Sequence, residues 1–383
     1  MSQNEVPLLE EASPSCTVLA ASSGNGAGVA MQGLVGRASE FEGEEAVEAD
    51  RSTSGQSPQP GQGQAPLFRF GVITDVQHAD IPDGASYGGT PRYYRHSLQV
   101  LRRAVDSWLQ SEPPPAFAVH FGDIVDGYCP REQSEVAVQA VLAQFERLPC
   151  RTFHMLGNHC LYNLPRARLN QLLDIPGDAD GCSYYSFQPH PRFRFIVLDG
   201  YDVSMLGWPP EHPKTALATA ILATHNPNEN KNSPETLEGP SRRFVMFGGG
   251  ISDAQLAWLE AELDGAQAAG QRCIVCCHLP LEPASTAPAC LLWNYDRVLA
   301  VLRAHSCVVA TLAGHAHRGG YARDGAGIHH RVLEAALECP HGSDAYGCVD
   351  VYADRLVLHG TGLMADAEMA FSTALSQPLS SSL

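Results

Sequence analysis

Five short clusters of side chains that can hold a metal ion fall between residues 75 and 317. They are Asp75-Val76-Gln77-His78, Gly122-Asp123-Ile124-Val125-Asp126-Gly127, Gly157-Asn158-His159-Cys160, His278-Leu279-Pro280 and Gly314-His315-Ala316-His317. Carboxylate, amide and imidazole groups are the usual protein ligands of divalent cations. A single Asp after an apolar run is ordinarily a turn residue or helix cap, and a single His-x-His is weak evidence for a metal. Five such clusters in order, each closing a short apolar run, point to a divalent-metal centre built where strands end.

The elements that must position these residues follow from hydrophobic periodicity. Short β-branched or aromatic runs predict strands at Phe68–Thr74, Phe117–Phe121, Thr152–Leu156, Phe193–Leu198, Cys273–Cys277, Cys307–Leu312, Ile328–Leu333, Gly347–Tyr352 and Arg355–His359, the last two forming a hairpin across Ala353-Asp354. Helical spacing appears at Tyr93–Gln110, at Glu132–Leu148, after Ser252 with Gln255 three residues on, and at Asp296–Ala304. The Pro- and Asn-rich stretch from Trp208 to Pro240 reads as a long excursion. Strands alternating with helices predict a layered α/β fold.

Composition limits the class of function. The 383 residues carry 25 Lys+Arg against 42 Asp+Glu, a formal net charge of −17, and the lysines are Lys214 and Lys231 alone. Such a chain lacks the basic face that phosphate-backbone contacts need, which argues against nucleic-acid or anionic-membrane partners. Residues 1–66 hold nine acidic residues against Arg37 and Arg51, and one aromatic, Phe41. This Gly-, Ser-, Gln- and Glu-rich segment without periodicity is expected to be a disordered acidic tail, with a catalytic domain over 67–362 and a flexible tail over 363–383. The acidic start does not resemble a secretory or mitochondrial signal, and no apolar run approaches the ~20 residues of a membrane helix. The twelve cysteines lie in apolar stretches without disulfide spacing, and Cys273-x-x-Cys276 has no second pair to complete a zinc site, so cytoplasmic thiols in a monomer are expected.

The ordered set D-x-Q, G-D-x-x-D, G-N-H, H-x-P and G-H-x-H resembles the calcineurin-like metallophosphoesterase superfamily over about residues 67–360. Gln77, where that superfamily usually has a His, and the stretches Pro91-Arg92-Tyr93-Tyr94-Arg95-His96-Ser97, Gly127-Tyr128, His225-Asn226-Pro227-Asn228 and Trp293-Asn294-Tyr295 are similar to its manganese-dependent ADP-ribose/CDP-alcohol diphosphatases. The resemblance implies a four-layer α/β/β/α sandwich and two divalent metal ions. Asp123 would bridge them, Asp75, Gln77 and His317 would complete one site, and Asn158, His278 and His315 the other. It further implies attack by a metal-bridging hydroxide, in line, on one phosphorus of ADP-ribose, CDP-choline, CDP-glycerol or a related nucleoside diphosphate, with His159 stabilising the transition state or protonating the leaving oxygen. Two cations, two carboxylates and a hydroxide leave a net charge of about +1 to meet an anionic diphosphate, so the metals supply what lysines do not. Asp126 stands where purple acid phosphatases place a tyrosine ligand, which argues against a tyrosinate–iron centre.

For substrate contacts the expected candidates are Tyr87, stacking on a base, Arg92 and Arg95, reaching phosphates, and Cys290 and Trp293, lining the pocket. Asp126 and Tyr128 are expected to support the bridging motif, and His78, His154, His329 and His330 to be structural. Cys160 replaces the Asp or Glu usual after the motif His, which raises the question of what orients His159. Alternatives are another activity of the same scaffold, as phosphomonoesterase or cyclic-nucleotide phosphodiesterase, and a nucleotide-binding homologue with weakened catalysis. Exchanging an imidazole for the Gln77 amide oxygen makes the ligand set harder and favours Mn²⁺, with Mg²⁺ as an alternative. Metal-reconstitution assays are expected to give the highest turnover with Mn²⁺; equal or greater turnover with Zn²⁺ alone would contradict this.

Overall fold

Two sheets of apolar strands meet along their aromatic faces. A computed structural model of the chain describes residues 65–86, 88–177 and 181–372. Its strands are β1 (Phe68–Ile73), β2 (Gly84–Ala85), β3 (Pro91–Arg92), β4 (Phe117–His120), β5 (Thr152–His154), β6 (Tyr185–His190), β7 (Phe193–Leu198), β8 (Arg272–Cys277), β9 (Val308–Ala313), β10 (Arg318–Arg323), β11 (His329–Glu334), β12 (Ala345–Val351), β13 (Arg355–Gly362) and β14 (Ala367–Ala370). The helices are α1 (His96–Gln110), α2 (Ser134–Phe145), α3 (Asn158–Asn163), α4 (Arg166–Leu172), α5 (Pro213–His225), α6 (Asp253–Ala268) and α7 (Tyr295–Ala304).

One six-stranded sheet runs β14-β13-β12-β1-β4-β5, antiparallel from β14 to β1 and parallel from β1 to β5; the other runs β10-β11-β9-β8-β7-β6, parallel from β11 to β7 with antiparallel edge strands β10 and β6. Phe70 and Phe117 of the first sheet meet Phe195 of the second edge-on, with ring centroids 5.2 Å apart in both pairs. Phe153 stacks on Phe187. Helices α1 and α2 pack outside the first sheet, where the buried Trp108 donates to the Gly347 carbonyl at 3.1 Å, and α6 and α7 pack outside the second. This is the four-layer α/β/β/α sandwich.

The central strands are where sequence expected them. Ser252 caps α6 by accepting from the Gln255 amide at 3.2 Å, while the Gln255 side chain turns inward to Asp199 and Asp202 rather than closing a reciprocal box. Three features differ. The excursion contains α5, whose Ala218 and Leu222 build a small second core with Val203, Leu237, Phe244 and Trp293. The strands β2, β3, β6 and β10 and the short helices α3 and α4 were not expected: β6 interrupts its aromatic positions with polar residues and a proline, and β10 is Gly-rich, so neither has an apolar run. The C-terminal boundary at 362 is too early, because β14 pairs with β13 and buries Met369. The expected tail over 1–66 lies outside the described residues except for its last two positions.

Among the described residues no helix is long and apolar enough to cross a membrane, and no disulfide joins two of the described cysteines. Because Phe195 is fully buried where the two sheets touch, Phe195→Ala is expected to lower unfolding free energy by about 3–5 kcal/mol. Urea denaturation measures this, and a loss below about 1 kcal/mol would show that the inter-sheet aromatic cluster does not hold the layers together.

Candidate dinuclear metal centre

Each expected ligand follows the carboxyl end of a parallel strand: Asp75 and Gln77 after β1, Asp123 after β4, Asn158 after β5, His278 after β8, and His315 and His317 after β9. The two sheets thus deliver their ligands to one place. The backbone there takes rarely populated conformations: among the described residues five non-glycines have positive φ, and four of them are Asp75 (50°), Gln77 (39°), Asp123 (55°) and His315 (66°). Such conformations persist only where the surroundings over-determine them. The glycines of the motifs allow the close approach, since a Cβ on Gly157 would fall on the Asp123 carboxylate and one on Gly314 on the Thr74 hydroxyl.

The donor atoms converge in two overlapping sets. In the first, Gln77 Nε2 lies 3.3 Å from Asp75 Oδ1, 3.5 Å from Asp123 Oδ2 and 2.9 Å from His317 Nε2, and His317 Nε2 lies 3.3 Å from Asp75 Oδ1. In the second, ligand atoms of Asp123, His278 and His315 lie within 4.8 Å of one another, with His278 Nε2 3.3 Å from Asp123 Oδ2. Asn158 stands beside them, its Oδ1 accepting from the Tyr201 hydroxyl at 3.1 Å. Asp123 belongs to both sets.

Two buried atoms here lack hydrogen-bond partners, Gln77 Oε1 and His278 Nε2. His278 Nδ1 is 2.6 Å from the Phe121 carbonyl, which assigns its proton to Nδ1 and turns the Nε2 lone pair toward Asp123. A lone pair facing a carboxylate in a dry site is what a cation would satisfy, and a half-turn of the Gln77 amide puts its oxygen among the same acceptors. The residues therefore fit a pair of divalent cations.

The charges are arranged accordingly. Burial works against ionisation of Asp75 and Asp123, but His317 at the first, and His278 and His159 at the second, hold both below the usual carboxylate range. Burial also opposes a proton on His317, yet Asp75 and Glu338 push it up to about 10. His315 has no such acid partner, and burial with the neighbouring His278 pushes it down to about 3, leaving a neutral imidazole.

Side chains that carried no signal in the sequence complete the centre. Glu338 accepts from His317 Nδ1 at 2.7 Å, a carboxylate behind a ligand imidazole of the kind that fixes its tautomer. The Thr74 hydroxyl and the His315 amide donate to Asp75 Oδ2. Glu338 lies in a short turn after β11, and only the tertiary register brings it to His317. Phe247, in Phe247-Gly248-Gly249-Gly250, lines the cavity; the run of glycines was the available clue.

Above this floor opens a cavity of about 630 Å³, lined among others by Asp123, Asn158, His159, His315, His317, Arg92 and Cys290. His159 Nδ1 accepts from the Gly127 amide at 2.9 Å, with Asp126 Oδ2 at 3.3 Å, so its proton lies on Nε2. The Cys160 thiol, whose proton affinity burial pushes up to about 12, points away and accepts from the Ile124 amide at 3.3 Å. The carboxylate beside His159 is thus Asp126. Arg92 is buried, 3.8 Å from Asp126.

Two expected substrate contacts are corrected. Arg95 turns outward to pair with exposed Asp80 at 2.5 Å, because it adjoins the first turn of α1 on its solvent side. Trp293 is buried in the second core beneath α5 and does not line the cavity. Tyr87 lies outside the described residues.

The fold and this centre define a metallophosphoesterase. The chain belongs to the calcineurin-like phosphoesterase family, whose model matches residues 68–319. It is 55% identical over 306 residues to the manganese-dependent ADP-ribose/CDP-alcohol diphosphatase of Oryza sativa subsp. japonica, covering 80% of this chain and 95% of the relative. The protein of that name from Homo sapiens is 40% identical over 320 residues, covering 80% and 93%. A dimetal phosphatase from Danio rerio superposes with a TM-score of 0.77 at 39% identity, covering 80% of this chain and all of that one.

If Asp126 rather than residue 160 positions the imidazole, Asp126→Asn is expected to lower kcat by about 10–100-fold. Cys160→Ser is expected to leave kcat within about threefold, since no hydrogen bond to His159 is lost. Steady-state kinetics of both variants decide, and the reverse order would contradict the assignment.

Proposed function

We propose that this chain is a Mn²⁺-dependent hydrolase that cleaves the diphosphate bond of ADP-ribose, CDP-choline and related CDP-alcohols, CDP-glycerol among them. The observation that carries this reading is the convergence of the six other candidate ligands around Asp123 at the floor of a cavity wide enough for a nucleotide. The substrate class is supported by the names of relatives that match almost all of their own length.

In this proposal Asp75, Gln77 and His317 hold one cation, Asn158, His278 and His315 the other, and Asp123 both. When bound, the cations supply Lewis-acid stabilisation of charge on the phosphoryl oxygens and activate water at neutral pH. The remaining work falls to the chain. His159, its Nδ1 occupied by the Gly127 amide, presents Nε2–H to the oxygen of the departing phosphate. With Nδ1 accepting from Gly127 the ring is neutral, so its Nε2–H stabilises the charge developing on that oxygen as a hydrogen-bond donor, and Asp126 lies 3.3 Å from Nδ1. Arg92, buried on the cavity wall, adds positive charge beside the phosphates. The products would be AMP and ribose 5-phosphate, or CMP and phosphocholine.

The mixed nitrogen and oxygen donors suit Mn²⁺ first and Mg²⁺ second. A cytoplasmic monomer acting on small nucleotides, without nucleic-acid or membrane partners, completes the proposal; cysteines in apolar stretches without disulfide spacing support the reducing compartment and the scarcity of lysine the absence of polyanion partners.

Purified protein with Mn²⁺ is expected to hydrolyse ADP-ribose and CDP-choline well above cyclic AMP and p-nitrophenyl phosphate, and to lose activity with EDTA. Preference for the monoester or the cyclic nucleotide would contradict the diphosphatase reading. Tight nucleotide binding without turnover would mark a binding homologue instead.

A further inference from the structure

The main cavity adjoins two smaller ones of about 340 and 360 Å³, and the wall of all three includes Arg318. This residue opens β10, directly after the candidate ligand His317, and is exposed. Its cross-strand partner on β11 is Glu334, an opposite charge placed to neutralise it. The Glu334 carboxylate goes instead to Arg331, at 2.7 Å. The other nearby acids are engaged as well: Glu338 by His317, Asp366 by the Gly360 amide, and Glu368 by Arg355 at 3.6 Å. Among the described residues the Arg318 guanidinium makes no hydrogen bond or ion pair.

An unanswered guanidinium is unusual in a chain of net charge −17 whose arginines are otherwise widely paired with acids. The other arginine of the main cavity, Arg92, already faces Asp126. The same cavity is lined by Thr286, which follows a short turn packed on β10 and whose buried hydroxyl has no hydrogen-bond partner. A guanidinium fork and a hydroxyl donor beside a metal-binding floor form a complement to a phosphate.

We propose that Arg318, with the Thr286 hydroxyl, binds the phosphoryl group next to the one attacked, so that a diphosphate is held at both phosphorus atoms. Arg318 is then the residue that sets preference for diphosphates over substrates with a single phosphoryl group. This inference rests on the diphosphatase reading above.

The test compares wild type, Arg318→Ala and Arg318→Lys in Mn²⁺, using ADP-ribose and CDP-choline against bis(4-nitrophenyl) phosphate, which carries one phosphoryl group. The ratio of kcat/KM for diphosphate over this diester is expected to fall about 10–100-fold in Arg318→Ala, the size of a lost charged hydrogen bond. Arg318→Lys is expected to recover part of it, keeping charge without the fork. ADP is expected to lose more potency than AMP as a competitive inhibitor of Arg318→Ala, and equal Mn²⁺ stoichiometry in the variants shows an intact centre. An unchanged ratio together with unchanged ADP inhibition would overturn the role of Arg318 while leaving the diphosphatase reading standing. Wild type that hydrolyses only the diester would remove both.

Discussion

Two carboxylates, Asp75 and Asp123, are buried side by side at the meeting point of two sheets, and most of the local structure serves to make that tolerable. Like charges in a dry site repel, and each loses its hydration. The chain answers with the Thr74 hydroxyl and the His315 amide on Asp75, the His159 amide on Asp123, and imidazoles on either side. No lysine takes part. Left-handed backbone at four of the candidate metal ligands and glycines against the carboxylates are the conformational cost of that convergence. Those features are economical only if divalent charge completes the site, which is why the centre and the fold are one problem.

Net charge alone pointed away from phosphate chemistry. A chain at −17 is a poor partner for polyanions in general, but the cavity is lined by imidazoles and two arginines above a floor that fits two cations. Local charge and overall charge therefore have opposite signs, which suits a small anionic nucleotide that enters a cleft.

Much of this was legible in sequence because the central strands of both sheets are short apolar runs ending in polar motifs, and a parallel strand's carboxyl end is where ligands gather. The candidate ligands could be named because each sits within four residues of such an end. What sequence could not supply was which side chains the third dimension adds. Glu338 reaches His317 from a turn after a different strand, and nothing in its neighbourhood distinguishes it from any surface acid. Proximity to a motif also misled: Trp293 and Arg95 follow suggestive residues, yet one fills the core beneath α5 and the other faces solvent, since adjacency in the chain does not fix which way a side chain points. Edge strands β6, β10 and β14 lack continuous apolar runs because one side of each is open, so periodicity had little to register.

The central claim is that Asp123 joins two cation sites, each built from ligands of both sheets. Titration of the purified chain with Mn²⁺, followed by electron paramagnetic resonance, tests it most directly. The account predicts that two equivalents per chain are taken up and give a spin-coupled spectrum, which Asp123→Asn removes. Uptake of a single, magnetically isolated ion, unchanged by Asp123→Asn, would contradict it.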